Sequence, residues 1–288
     1  MRIAGLSGVD PPRRAGPDRD WSGSCGRLGR APGSRTRGAR WDNPPVVTAE
    51  QEKRVAAEAA AELVEDGMTV GLGTGSTVAL CVPALAARRL DLRCVATSPR
   101  TEAAAREVGL RIERFSTVAH LDIAIDGADQ VAPDGWLVKG GGGAHTREKL
   151  VAAAASRFVV IVDSTKLVPA LGPPVPLEVL SFGLSSTLRR LAAVGPVRRR
   201  DGPRSPDGGA ICDYLGPVGD PRSLARKMQG VLGVVEHGLF PPELVTEIVV
   251  GRGASVECLD LRDLRGARRG GKRQSSLSGR PVPPPGRP

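Results

Sequence analysis

Between residues 48 and 261 the chain alternates two hydrophobic rhythms: stretches with apolar residues three and four apart, and short, nearly unbroken apolar runs. The first stretch opens at Thr48, a residue suited to cap a helix, with Gln51 at the capping-box position. It puts Val55, Ala59 and Leu63 on one face and ends at Asp66-Gly67. The run MTVGLG then reads as a buried strand, GTGST (Gly73–Thr77) as a turn and Val78–Leu90 as a helix. Leu92–Thr97 is a predicted strand, Thr101–Val108 a helix closed by Gly109, and Leu121–Asp126 a strand that runs into DGAD. Thr146–Ala155 reads as a helix and FVVIVD, Phe158–Asp163, as a strand. Short apolar strands alternating with amphipathic helices predict an α/β fold, a mostly parallel sheet with helices on both faces. Chemistry then gathers at the carboxyl ends of the strands, where GTGST, DGAD and Asp163–Lys166 lie.

After Pro169 the rhythm changes. PPVPLEVL reads as extended, Ser185–Ala193 as a helix, and VGPVRRR and Ala210–Leu215 as strands. Asp220–Met228 is a short predicted helix, and Gly230–Glu236 leads to GLF. This βαββαβ-like spacing predicts a small α+β domain beside the sheet. TEIVVGR and ASVECL are two late strands that return to the large domain. The expected organisation is a catalytic domain over 48–172, a small domain over 173–245 and return strands over 246–261.

Charge redraws the ends of the chain. Of 288 residues carrying +10, residues 1–47 carry +5 and residues 262–288 carry +7, so the stretch between them carries −2. Both basic ends are rich in Gly, Pro, Ser and Arg, a composition that predicts disorder because too little apolar surface is present to offset ordering entropy. Basic tails can hold nucleic acid electrostatically, but no aromatic interleaving or reading module accompanies them, so nucleic-acid binding is not expected. The opening MRIAGLSG lacks a signal-peptide core, and no apolar run is long enough to span a membrane. Cys25, Cys81, Cys94, Cys212 and Cys258 are odd in number and widely spaced, which fits reduced thiols in a cytoplasm better than disulfides or zinc.

The candidate chemistry lies in three glycine-rich or acidic segments. GTGST allows a tight turn at the start of a helix, where backbone donors and the helix dipole favour a small phosphate; an ordinary turn is the plainer reading. The third glycine of a dinucleotide fingerprint is missing, since Ser76 stands there. In DGAD, Asp126 and Asp129 can line one pocket and orient sugar hydroxyls, bind magnesium, or simply form an Asx turn. In KGGGGAHTREK, Lys139 and the N–H groups of Gly140–Gly142 can steady a developing oxyanion. Thr146 is placed to cap the next helix, with Glu148 in its first turn as a general base or a simple dipole partner. Arg147 and Lys149 read as a flanking charge cluster. His145 is a less suitable base because nothing is named to orient it. Lys166 in DSTK can hold a phosphate or a sugar oxygen, and Lys53 on the first helix is a weaker phosphate ligand. No Ser/His/Asp, HExxH or reactive-cysteine pattern is present, so the set suits proton abstraction next to a carbonyl.

VGLGTGSTV, ATSPRTEAAA, IDGADQV, KGGGGAHTREK, VDSTKLV, PLEVLSFG and GVVEHGLF occur in the order found in ribose-5-phosphate isomerases of the A type, and residues 48–261 resemble that family. The resemblance implies a Rossmann-like domain with a small α+β, ferredoxin-like domain, assembled as a homodimer or homotetramer. It implies interconversion of D-ribose 5-phosphate and D-ribulose 5-phosphate in the non-oxidative pentose phosphate pathway, through a cis-enediolate, with no metal and no cofactor. By motif, Glu148 matches the proton-transferring glutamate, and Lys139 with Gly140, Gly141 and Gly142 the charge-steadying loop. Asp126, Gly127, Ala128 and Asp129 match the substrate-contacting DGAD. Thr74, Gly75, Ser76 and Thr77 match the phosphate segment, Lys166 the substrate-binding lysine and, less securely, Lys53 a helix lysine near the phosphate.

Four positions depart from the family pattern. His145 stands where leucine is usual, Gln130 where glutamate follows DGAD, Ser181 where proline is common, and Gly209 where asparagine follows the hairpin glycine. An aminosugar-phosphate isomerase/deaminase would need a catalytic His/Asp arrangement the chain lacks. A sugar-phosphate-sensing protein without turnover is the alternative of a different class.

Overall fold

The computed structural model describes residues 48–261. The expectations for residues 1–47 and 262–288, and Cys25, lie outside the described residues. The element order is α1 (Ala49–Ala61), β1 (Thr69–Leu72), α2 (Ser76–Ala87), β2 (Arg93–Ala96), α3 (Pro99–Glu107), β3 (Arg111–Ile112), β4 (Leu121–Asp126), β5 (Gln130–Val131), β6 (Leu137–Val138) and α4 (His145–Ala154). It continues with β7 (Ala155–Asp163), β8 (Val175–Val179), α5 (Leu184–Leu191), β9 (Val197–Arg199), β10 (Ala210–Tyr214), α6 (Pro221–Gln229), β11 (Val234–His237), β12 (Leu239–Phe240), β13 (Glu247–Arg252) and β14 (Ser255–Asp260).

The first layer is a seven-stranded sheet of order β14-β13-β7-β4-β1-β2-β3, parallel except for the β13–β14 pair. Its central strands are apolar because they are covered on both faces: Phe158 and Ile161 of β7 and Ile123 and Ile125 of β4 are all fully buried. Each such side chain stabilises the fold by about 1.5–3 kcal/mol. Thr48 caps α1, its hydroxyl accepting from the Gln51 N–H at 3.2 Å.

The buried face of α1 differs from the expected one. Ala56, Ala57, Ala60, Ala61 and Val64 are buried, whereas Val55, Ala59 and Leu63 flank them half-exposed. Small side chains let the helix lie almost on the sheet backbone. A Cβ at Gly251 of β13 would stand 2.0 Å from the Glu52 carbonyl oxygen, so helix and strand meet where neither has bulk.

The second layer is a four-stranded antiparallel sheet, β11-β8-β10-β9, carrying α5 and α6. In chain order this is βαββαβ with strands arranged 4-1-3-2, the α+β unit predicted from the spacing. Leu191 of α5 and Leu224 and Met228 of α6 share its core with Leu177, Val179, Cys212 and Tyr214. A third sheet, β12-β6-β5, was not anticipated; its strands have two residues each, too short to show periodicity. It joins the segment after DGAD to the GLF segment, since Leu239 pairs with Val138 and Phe240 with Leu137. Cys81, Cys94 and Cys212 are buried free thiols, and burial pushes Cys81 and Cys94 up to about 12. No helix among the described residues is long and apolar enough to cross a membrane.

Candidate active site

One cleft collects GTGST and DGAD at the carboxyl ends of β1 and β4, the glycine loop that follows β6, and Lys166 just beyond β7. It is lined by Thr74, Gly75, Ser76 and Thr77, by Gly127, Ala128 and Asp129, by Lys139, Gly140, Gly141 and Gly142, and by Glu148 and Lys166. Asp126 is not part of the lining; it lies directly behind Lys139. Lys53 is not part of it either, and its ammonium sits 3.7 Å from Glu50 on the same helix.

The geometry of the expected phosphate segment follows from the β1–α2 turn. α2 begins at Ser76 with Gly75 as N-cap, so no side chain satisfies the first-turn N–H groups. Those donors and the positive helix end face the cleft. The Thr74 N–H donates to Asp126 Oδ1 at 3.0 Å, and the Thr74 hydroxyl pairs with Thr97 at 2.8 Å. Gly73 is required here: a Cβ would fall 2.0 Å from Asp126 Oδ1. Gly73→Ala is therefore expected to push the Asp126 carboxylate off Thr74 and Lys139. The expected outcome is a loss of about 1–3 kcal/mol in urea unfolding, as for other overpacked interiors, with a clear fall in turnover.

At the centre one ammonium serves two carboxylates. Lys139 Nζ lies 2.8 Å from Asp126 Oδ2 and 3.1 Å from Glu148 Oε2, and donates to the Gly127 carbonyl at 2.6 Å. All three side chains are almost wholly buried. Burial raises the pKa of Glu148 to about 8, with the Asp126 and Asp129 charges adding to it and Lys139 opposing. Burial likewise raises Asp126 above the usual carboxylate range, although Lys139 and the Gly127 and Thr74 amides pull the other way. For Lys139, burial disfavours the charge but the two carboxylates outweigh it and raise its pKa. Two carboxylates around one cation in a dry site amount to a place that readily holds one proton. Asp126 also accepts from the Gly127 N–H at 2.7 Å, and Asp129 Oδ2 from the Gly141 N–H at 2.7 Å. Protein donors thus occupy the DGAD carboxylates. Among the described residues no cluster of three or more His, Cys, Asp or Glu is placed to hold a metal ion.

The helix carrying Glu148 is fixed differently from the expectation. α4 starts at His145 with Ala144 as N-cap, and Thr146 does not cap it. The Thr146 hydroxyl instead donates to buried Glu178 of β8, which also receives Ser205. Arg147 makes a forked pair with Asp207, at 2.8 and 2.7 Å. Lys149 donates to Glu236 at 2.8 Å and to the His237 carbonyl at 2.7 Å. His145 is buried outside the lining, its Nε2 3.3 Å from the Glu236 carbonyl oxygen. Burial, reinforced by Lys149, lowers its pKa to about 4, so it is a neutral packing group. Of the HTREK side chains only Glu148 turns to the cleft; the other four are tied to the small sheet and its loops.

Several participants carried no local signal. Phe240 receives both lysines over its ring, Lys139 at 5.3 Å and Lys149 at 4.9 Å from the centroid. Glu52 of α1 accepts from the Ser164 N–H at 2.9 Å and hydroxyl at 2.6 Å, which anchors the turn bearing Lys166. Two departures from the family pattern are explained by contacts. Gln130 exchanges two hydrogen bonds with the Gly172 backbone, at 2.9 and 2.8 Å, a pairing an ionised glutamate cannot complete because it has no donor. Ser181 donates to the Gly208 carbonyl at 2.8 Å, tying down the turn that proline would otherwise stiffen.

The family model for ribose 5-phosphate isomerase A (phosphoriboisomerase A) matches residues 93–254. The ribose-5-phosphate isomerase A of Caulobacter vibrioides is 47% identical over 223 residues, covering 73% of this chain and 98% of its own. Among solved structures, ribose 5-phosphate isomerase A of Methanocaldococcus jannaschii is 35% identical with a TM-score of 0.69, covering 74% of this chain and 100% of that one. A D-ribose-5-phosphate isomerase in complex with phospho-erythronic acid is 32% identical with a TM-score of 0.70, covering 74% and 99%. By the family model, by close relatives spanning nearly their whole length and by fold, the chain belongs to the ribose 5-phosphate isomerase A family.

Proposed function

We propose that this cleft isomerises D-ribose 5-phosphate to D-ribulose 5-phosphate through a cis-enediolate, with Glu148 as general base. The family's activity makes the chain an isomerase of the pentose phosphate pathway; the roles of its side chains are inferred from geometry. The observation that carries them is a buried glutamate beside a buried lysine, in a cleft that also presents an uncapped helix N-terminus. The phosphate sits on the Ser76 and Thr77 amides with Lys166 alongside. Asp129 meets the sugar hydroxyls. Asp126 holds Lys139 in place, and Asp129, which lines the cleft, assists ring opening or proton transfer between O1 and O2. Glu148 takes the C2 proton, the electron pair forms the C1–C2 double bond, and the C1 carbonyl oxygen gains negative charge. Lys139 and the amides of Gly140 and Gly142 stabilise that charge, the Gly141 N–H being held by Asp129. After a proton passes from O2 to O1, Glu148 returns its proton to C1 and the carbonyl re-forms at C2.

The division into 48–172 and 246–261 as the catalytic domain and 173–245 as the small domain belongs to the same proposal. So do assembly into a homodimer or homotetramer and a cytoplasmic setting, which rest on family membership.

The direct test is incubation of the purified full-length chain with D-ribose 5-phosphate in the presence of a chelator, following D-ribulose 5-phosphate. Turnover supports the reading. A folded protein that binds inorganic phosphate yet gives no ketose would replace it with a binding role. The pH profile follows from the raised pKa of Glu148. A base works only when deprotonated, so kcat/KM is expected to fall toward tenfold per pH unit below about 8, instead of below the usual glutamate range. A profile flat down to pH 5 would contradict a base in this environment.

A further inference from the structure

The glycine loop is held from behind by a residue outside the cleft. Arg200 follows β9, and its N–H donates to the Ile211 carbonyl at 2.9 Å, extending the β9–β10 pairing. Its guanidinium grips Asp213 of β10 as a fork, Nε to Oδ2 at 2.8 Å and Nη2 to Oδ1 at 2.6 Å. The remaining arm, Nη1, donates to the carbonyls of Gly140 at 3.1 Å and Gly141 at 3.0 Å. Arg200 does not line the cleft.

In a planar trans peptide the N–H points opposite to the C=O. Pinning the Gly140 and Gly141 carbonyls on Arg200 therefore turns the Gly141 and Gly142 amides away from the guanidinium. The Gly141 N–H meets Asp129 at 2.7 Å, and Gly142 lies against Thr74, where its Cβ would be 3.3 Å from Thr74 Cγ2. A cation on the carbonyl side also polarises each peptide and strengthens its N–H as a donor. We propose that Arg200, braced by Asp213, is a positioning residue for catalysis: it sets and polarises the glycine-loop peptides, so that the Gly141 amide holds Asp129 and the Gly142 amide receives the charge developing on substrate. The proposal rests on the role given above to that loop, and it makes the small sheet part of the catalytic apparatus.

Arg200→Ala and Asp213→Asn in the full chain test it, beside wild type and Glu148→Gln. Losing an oxyanion donor typically costs on the order of 100-fold in kcat. A comparable fall is expected for R200A and a smaller one for D213N. KM and the inhibition constant of inorganic phosphate should move less than about threefold, because the phosphate cradle is untouched. If R200A does not fold, Arg200→Lys decides. It keeps the charge but cannot bridge a carboxylate and two carbonyls at once, so it should show the same kcat loss. Wild-type kcat in any folded Arg200 variant overturns the proposal, and so does a loss carried wholly by KM. Those results leave the isomerase reading standing as long as wild type turns over and E148Q does not; a silent wild type is the failure of that reading instead.

Discussion

Glu148→Gln is expected to lower kcat by about 10³- to 10⁴-fold, near the upper end of what a positioned general base contributes. The substitution is nearly isosteric, and the amide oxygen can still face Lys139, 3.1 Å from the present carboxylate oxygen. What disappears, on the proposed mechanism, is the capacity to accept the C2 proton. Inhibition by inorganic phosphate should stay within about threefold of wild type, since Glu148 contributes no donor to the phosphate site. Stability should hold or rise, because one of two buried carboxylates competing for a single ammonium is removed. Residual activity in E148Q should also lose the acid limb that Glu148 imposes on kcat/KM. Steady-state rates of both proteins from pH 6 to 9, with thermal melts, give all three readouts. Wild-type-like turnover would remove Glu148 as the base.

The composition of this cleft was legible because its polar groups are concentrated in short segments that recur at strand ends. GTGST, DGAD and KGGGGAHTREK supply every cleft-lining residue except Lys166, which DSTK supplies. The order of strands and helices was equally readable, since the inner stretches of β1, β4 and β7, such as residues 123–125 and 158–162, are buried on both faces and must be apolar. What the pattern could not show is what holds the site. The small sheet and its loops grip HTREK through Glu178, Asp207 and Glu236, residues 32 to 91 positions from their partners along the chain and unremarkable in isolation. Arg200 sits in a run of three arginines at the end of VGPVRRR, a stretch that reads only as a strand; the β9–β10 register places it against Asp213 and the glycine loop. The face of α1 was misjudged for a related reason. Alanines score weakly as a stripe, yet close helix–sheet packing selects them where the backbones nearly touch.

Lys139→Ala is expected to damage both catalysis and folding, and pH separates the two. Truncating one partner of a buried charge cluster typically costs about 3–5 kcal/mol, because the remaining charges lose their counterion. Here Asp126 and Glu148 would face each other without a cation, and in the folded state each would hold its proton to higher pH than in the unfolded chain. A carboxylate whose folded pKa is raised contributes full stability below its unfolded pKa and loses it as pH rises through the folded one. The melting deficit of K139A relative to wild type should therefore be small near pH 4 and grow as pH rises toward 8. In wild type the Lys139 charge offsets much of this penalty, since it lies within 3.1 Å of both carboxylates. Turnover should fall by at least about 10²- to 10³-fold, as for loss of an oxyanion donor, at every pH where the variant is folded. Binding of an enediolate analogue should weaken more than KM for substrate if Lys139 acts on the transition state. Equal weakening of both would reduce Lys139 to a substrate-binding cation. A pH-independent melting deficit would mean that the two carboxylates are not competing for it.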